Sequence, residues 1–214
     1  MSSNSQERDQ NGKRNESSKS VFVGISTSEY SDLTPRSLNE LGSAYSATAS
    51  ALSVASGRVS FCFDLRGPSM SIDTACSSSL VAMHLGAKSC NQDECSASLV
   101  CGVNLILLSR TTEIFQRAGM LSRDGRCKTL DSTADGYVRS EGCEVLHLIR
   151  GYDGLHTVIV SGSAVNQDGR SSSLTAPNGP SQRVVIETAL ENACADACSL
   201  SKFYMHGTGT SLGD

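Results

Sequence analysis

Cys76 and His206 are the two side chains of this sequence best placed to do chemistry. Cys76 follows an alternating stretch, Ser69-Met70-Ser71-Ile72-Asp73, that reads as a short strand, and it precedes Leu80-Val81-Ala82-Met83-His84-Leu85, which is apolar on nearly every side. A helix apolar all round is a buried helix. The pattern therefore predicts Cys76 where a strand turns into the first turn of a buried helix. There, unpaired backbone N–H groups and the positive end of the helix dipole favour thiolate over thiol, which makes cysteine a nucleophile. The plainer reading stands beside it: the chain has nine cysteines, and a cysteine is first of all a small core residue.

His206 ends the apolar run Lys202-Phe203-Tyr204-Met205 and opens His206-Gly207-Thr208-Gly209-Thr210. Strand ends are where α/β folds place reactive groups. An imidazole there can move a proton or donate a hydrogen bond to developing negative charge. Thr208 and Thr210 offer hydroxyls, and Gly207 and Gly209 let a ligand approach the backbone. Alone, the same histidine reads as a turn residue. A nucleotide-binding module is a rival reading, since Gly207-x-Gly209 follows a short strand. The third glycine of that fingerprint is due where Leu212 stands, and its acidic residue about 20 positions later does not occur in these residues.

The elements that must position these groups alternate. Residues 1–20 hold no aliphatic residue after Met1 and read as a disordered polar tail, leaving 21–214 as the folded part. A strand is expected at Val21–Ile25, then a small-residue helix at Leu41–Ser56. Ser98–Leu108 is nearly continuous apolar and β-branched, which suits a strand covered on both faces. A helix near Thr111–Ala118 leads into an irregular stretch, Leu121–Ser140, long enough to suggest a function. Strands at Cys143–Ile149 and Thr157–Val165, a helix from Ser181 to about Ala197, and the strand before His206 complete the pattern. Such alternation predicts an α/β fold with helices on both sheet faces.

The net charge of −4, without a basic block, speaks against nucleic acid and anionic membrane partners. No apolar run approaches membrane-spanning length, and the first residues lack a signal-peptide core. An odd number of cysteines in that setting suggests reduced thiols and a cytoplasmic chain, with an organelle left open. Metal binding is weakly encoded. Cys194/Cys198, Cys143/His147 and Cys90/Cys95 are isolated pairs, and no Cys-x-x-Cys occurs.

Taken together, Asp73-Thr74-Ala75-Cys76-Ser77-Ser78-Ser79-Leu80 and His206-Gly207-Thr208-Gly209-Thr210 strongly resemble a β-ketoacyl synthase, most closely the ketosynthase domain of modular (type I) polyketide synthases. Phe63–Met70, Gly102–Leu107, Ala118–Ser122, Asp124–Lys128, Ala134–Gly142, Asn166–Gly169 and Leu174–Gln182 extend the likeness over nearly everything from Val21 to Asp214. The resemblance implies the thiolase-like fold, stacked as α-β-α-β-α layers and here incomplete, and usually a homodimer. It implies that Cys76 accepts an acyl chain from the phosphopantetheine arm of an acyl carrier protein. Decarboxylation of a malonyl-type carrier thioester then gives an enolate that attacks the acyl-cysteine. His206 would stabilise the enolate oxygen, Thr208 and Thr210 would hold the pantetheine arm, and the Cys76 N–H would supply part of the oxyanion hole. No cofactor is expected on the protein itself. Carrier protein, other synthase domains or a complementary chain are the implied partners.

In the same family a second histidine, a lysine and a glycine-rich loop lie beyond the His-Gly-Thr-Gly-Thr motif, and an opening strand precedes the Val21 strand. The chain is therefore expected to be a fragment that does not complete condensation alone, with two sheet edges exposed where that strand belongs. His84, His147 and His156 lack ketosynthase context. A non-catalytic acyl- or carrier-binding relative is the alternative.

Overall fold

A computed structural model describes residues 18–33, 45–151, 158–173, 176–210 and 213. It divides into two compact units that interleave along the chain: residues 1–105 with 141–157, and 106–140 with 158–214.

The first unit is built on a four-stranded sheet of order β2-β1-β3-β4. β1 (Lys19–Gly24) pairs in parallel with β2 (Ser69–Ile72) on one side and β3 (Ala97–Asn104) on the other, and β4 (Gly142–Ile149) pairs antiparallel with β3. Two expectations change here. Lys19 and Ser20 belong to the sheet, Ser20 fully buried and registered against Ser98, so order starts before Val21. The edges expected to lie open are joined through β1, which hydrogen-bonds on both sides. Residues 1–17, the rest of the expected tail, lie outside the described residues.

Alternation along β1 sends Phe22 to one face and Val21 and Val23 to the other. Val21, Val23 and Cys101 pack with Ala55, Val59 and Leu65, so α3 (Ser53–Cys62) and the turn after it cover that face. Serines zip α3 to β2: Ser60 Oγ lies 2.9 Å from Ser69 Oγ, and Ser71 Oγ accepts from the Ser56 N–H at 3.2 Å. Phe22 and Val100 pack with Ala82 and Met83 of α4 (Ser78–Asn91) on the other face. Coverage on both faces of β1 and β3 thus follows the apolar pattern of their sequences.

α4 departs from the expected helix buried all round. Its buried positions are Ser78, Ala82, Gly86, Ser89 and Cys90, a stripe of small residues at helical spacing against the sheet, whereas Leu80 is 64% exposed. Of the helix expected at 41–56, residues 41–44 lie outside the described residues and the rest is redrawn. Among the described residues α1 (Tyr30–Leu33) and α2 (Ser46–Ala49) are single turns, and α3 runs on to Cys62. Arg58 closes α2 by donating to the Thr48 and Ala49 carbonyls at 2.7 and 2.9 Å.

The second unit holds α5 (Ser109–Arg117) and α6 (Gly179–Asn192). Asn178 caps α6 by accepting from the Ser181 N–H, and Pro180 occupies a position whose missing N–H costs nothing. Asp168 binds back to that cap through its backbone and carboxylate, so Asn166–Gly169 wraps the helix start. α6 ends earlier than expected: Cys194 has φ +51°, and a separate 3-10 turn follows at Ala197–Ser199. The Cys194/Cys198 pair therefore does not share a helix.

Of the strands expected at 157–165 and 202–205, residue 157 lies outside the described residues and the rest form no ladder among them. A strand exists only through a hydrogen-bonded neighbour. Residues 162–163 instead lie along the end of α6, where Asn192 Nδ2 donates to the Ser163 carbonyl at 3.0 Å. Val158, Ile159 and Val165 remain at least half exposed, at 81%, 63% and 50%.

Candidate active site

Cys76 lies in a 3-10 turn, Ala75–Ser77, between β2 and α4. It precedes the helix by two residues instead of occupying its first turn, and it is exposed. The residue before it, Ala75, has φ +54°, a left-handed backbone that costs an alanine roughly 1–2 kcal/mol. Three side chains hold it there. Asp73 Oδ1 accepts from the Ala75 N–H at 3.0 Å, and Ser78 Oγ and Ser26 Oγ donate to the Ala75 carbonyl at 2.7 and 3.2 Å. Ser78 Oγ also accepts from the Thr74 N–H at 2.9 Å. A sharp turn pinned in this way lifts the following side chain clear of the sheet.

The helix that starts beneath Cys76 is seated on two glycines. Gly24 of β1 and Gly102 of β3 are registered as partners. A Cβ on Gly24 would stand 2.6 Å from Ser79 N, and one on Gly102 2.9 Å from Ser79 Cβ. The first turn of α4 thereby reaches the backbone at the C-terminal ends of both strands.

His206, Thr208 and Thr210 belong to the second unit. His206 is exposed and Gly209 is buried. Thr208 Oγ1 and Thr210 Oγ1 lie 2.9 Å apart, so their hydroxyls form a pair. Gly207 and Gly209 have φ +54° and +71°, a backbone that favours glycine. The loop over 121–140 cradles this segment: Thr129 Oγ1 donates to the Gly207 carbonyl at 2.6 Å, and the Gly136 N–H donates to the Gly209 carbonyl at 2.9 Å. A Cβ on Gly209 would lie 2.7 Å from Lys128 N, so nothing larger fits beneath the loop. The loop is itself tied by a bridge between Leu121 and Tyr137. Arg139, 5.4 Å from the Phe115 ring centroid and donating to Thr112 Oγ1 at 2.6 Å, fixes it to α5.

Sequence patterns single out Cys76, His206, Thr208 and Thr210 but give no role to Asp73, Ser26, Ser78, Thr129 or Gly136. Asp73 carried a local signal, since an aspartate two residues before a turn N–H is an Asx pattern. Ser26 and Thr129 act across long sequence separations and carried none. The other thiol pairs separate from this chemistry. Cys90 and Cys95 are buried with their sulfurs 3.8 Å apart, and burial, together with Cys95, pushes the Cys90 thiol up to about 12. Among the described residues no group of three or more His, Cys, Asp or Glu side chains could hold a metal ion.

Residues 3–154 match the β-ketoacyl synthase N-terminal domain, and residues 157–214 match its C-terminal domain. The chain belongs to the β-ketoacyl synthase family. Its similar relatives include polyketide synthase GfsE of Streptomyces halstedii, 47% identical over 199 residues that are 91% of this chain and 5% of that protein. Erythronolide synthase EryA3 of Saccharopolyspora erythraea is 45% identical over 200 residues, again 91% of this chain and 6% of the relative. Among solved structures, the oxazolomycin ketosynthase domain OzmH KS7 of Streptomyces albus matches with a TM-score of 0.83 at 36% identity. The ketosynthase from module 6 of the Bacillus subtilis bacillaene synthase matches at 0.80 and 36%. Each match covers 92% of this chain and 34% of the other, so the chain spans about a third of a ketosynthase chain. The fold of this ketosynthase segment is thiolase-like and incomplete, as the motifs implied. No described helix is long and apolar enough to cross a membrane.

Proposed function

We propose that the chain serves the β-ketoacyl synthase reaction of polyketide or fatty acid assembly, with Cys76 as the acyl acceptor. The Cys76 sulfur attacks the carbonyl of an acyl thioester on a carrier's phosphopantetheine, and the C–S bond to the carrier breaks. The pantetheine thiol leaves with the cysteine's proton. A malonyl-type carrier thioester then loses CO2, and its α-carbon bonds to the acyl carbon as the Cys76 C–S bond breaks, releasing a thiolate that takes a proton from water. His206 donates to the enolate oxygen as charge develops there, the use for which preorganised donors are most effective. The paired Thr208 and Thr210 hydroxyls hold the pantetheine arm, and the Cys76 N–H contributes to the oxyanion hole. An acyl carrier protein is the required partner. A second copy of the chain and other synthase domains are the further partners of this reading.

The observation that carries it is the Cys76 turn, where an exposed thiol follows a left-handed Ala75 held from both backbone sides. Incubating the full chain with an acyl carrier thioester and mapping the adduct by mass spectrometry tests it. The acyl group is expected on Cys76 and absent in Cys76→Ser. Equal acylation of the other exposed thiols, or none at all, overturns the reading. The chain spans about a third of the ketosynthase chains it matches, so adding a malonyl carrier is expected to give no steady β-ketoacyl product from this chain alone, and steady product lost in His206→Gln would overturn that expectation.

A further inference from the structure

The loop over 121–140 has a feature that the acyl-transfer chemistry leaves unused. Lys128 Nζ lies 2.8 Å from Asp135 Oδ1 and 3.3 Å from Asp124 Oδ1. Ser122 Oγ completes the cluster, 2.7 Å from Asp124 Oδ1 and 3.0 Å from Asp135 Oδ1. The Lys128 side chain is 21% exposed and that of Asp135 35%, a half-sheltered ion pair shared between two carboxylates. Its two ends coincide with the cradle. Thr129, next to Lys128, holds the Gly207 carbonyl, and Gly136, next to Asp135, holds the Gly209 carbonyl.

We propose that the Lys128–Asp135 pair is a clip that sets the spacing of the two loop arms, and so positions the His206–Thr210 segment. Lys128 and Asp135 are then positioning residues, acting through Thr129 and Gly136 on the carbonyls that flank Thr208. A lone ion pair within reach of solvent adds little to global stability. A clip of this kind therefore acts locally, on the geometry of one segment, and leaves the sheet of the first unit as it is. The significance of the clip for catalysis rests on the role given to His206 above, whereas its existence does not.

The test uses the full chain, labelled for nuclear magnetic resonance, with Lys128→Met, Lys128→Arg and Asp135→Asn. The Gly136 amide reports the bond to Gly209 through hydrogen exchange, and the His206 ring proton, assigned with His206→Gln, reports its surroundings through its chemical shift at fixed pH. In Lys128→Met, exchange at Gly136 is expected to rise at least about tenfold and the His206 ring shift to move. Amides of Val21–Val23 should be unaltered, and Lys128→Arg should restore both readouts. Unchanged Gly136 protection and an unchanged His206 ring shift overturn the clip. Should Lys128→Met unfold the sheet, Asp135→Asn decides by the same criteria. Failure of Cys76 to take an acyl group would overturn the proposed reaction and leave these readouts untouched, so the two ideas fail separately.

Discussion

Gly24 and Gly102 face each other across the β1–β3 ladder, and the first turn of α4 rests on both. The contact at Gly24 is to backbone, at 2.6 Å, while that at Gly102 is to the Ser79 Cβ, at 2.9 Å. Overpacking costs about 1–3 kcal/mol when neighbours can shift, and backbone shifts least. Gly24→Ala should therefore lose about 3 kcal/mol and Gly102→Ala about 1 kcal/mol in urea unfolding. Equal losses would contradict the seating of the helix on β1.

Among the described residues Ser98 Oγ is buried with no hydrogen-bond partner, 2.7 Å from where a Cβ on Gly86 would stand. An unpaired buried hydroxyl costs about 1–3 kcal/mol of desolvation. Ser98→Ala should stabilise the first unit by about 1 kcal/mol, seen as a higher urea midpoint at constant slope. A lower midpoint would mean that the hydroxyl is satisfied.

Nine thiols should fall into two classes under iodoacetamide at neutral pH. Cys76 and the other exposed cysteines react, whereas Cys90, Cys95 and Cys101 stay unmodified until the chain unfolds. Burial, together with Cys95, pushes Cys90 up to about 12, and burial with Cys143 nearby raises Cys101. Peptide mapping after timed alkylation reads this directly. Early labelling of Cys90 would contradict its burial between α4 and β4.

The clip also sets a pH window. The Lys128 hydrogen bond holds the Asp135 carboxyl below its ordinary value of 3.8, and the Ser122 hydroxyl, with Lys128, does the same for Asp124. Carboxyls depressed by folding contribute above their unfolded value and lose that contribution as the pH falls through the folded one. Lys128 is raised above 10.5, chiefly by Asp135, so its contribution is complete below that value and fades as the pH climbs past it. The Gly209 amide shift should stay flat from about pH 5 to 10 and move only below the ordinary carboxylate range or above the ordinary lysine range. A midpoint in the histidine range, about pH 6.5, would remove the carboxylates from the account.

Much of the first unit was legible because its signals are local. The β2–Cys76–α4 order, β1, β3 and β4 follow from patterns over a few residues, as does α5 in the second unit. The misread parts depend on partners that no local pattern names. Val158–Val165 has the composition of a strand, but no ladder partner adjoins it among the described residues. Leu80 is as apolar as any residue of α4, yet only the small-residue stripe meets the sheet. The break in the 41–56 helix turns on Arg58 reaching back to Thr48. Ala75 is the extreme case, since no sequence rule assigns a left-handed backbone to alanine. Asp73, Ser26 and Ser78 impose it together.

The interleaving of the two units bears on how such proteins can vary. The N-terminal family match, residues 3–154, contains the whole cradle loop over 121–140, whereas Gly207 and Gly209 fall within the C-terminal match, residues 157–214. The seam between the two matches therefore divides the loop from the segment it holds. A chimera joined there, with each half taken from a different relative, would pair one parent's Thr129 and Gly136 with another parent's Gly207 and Gly209. Inheritance of the two domains as separate modules is thus constrained where the family boundary looks cleanest. Substitutions in 121–140 and in 206–210 should be accepted together or not at all.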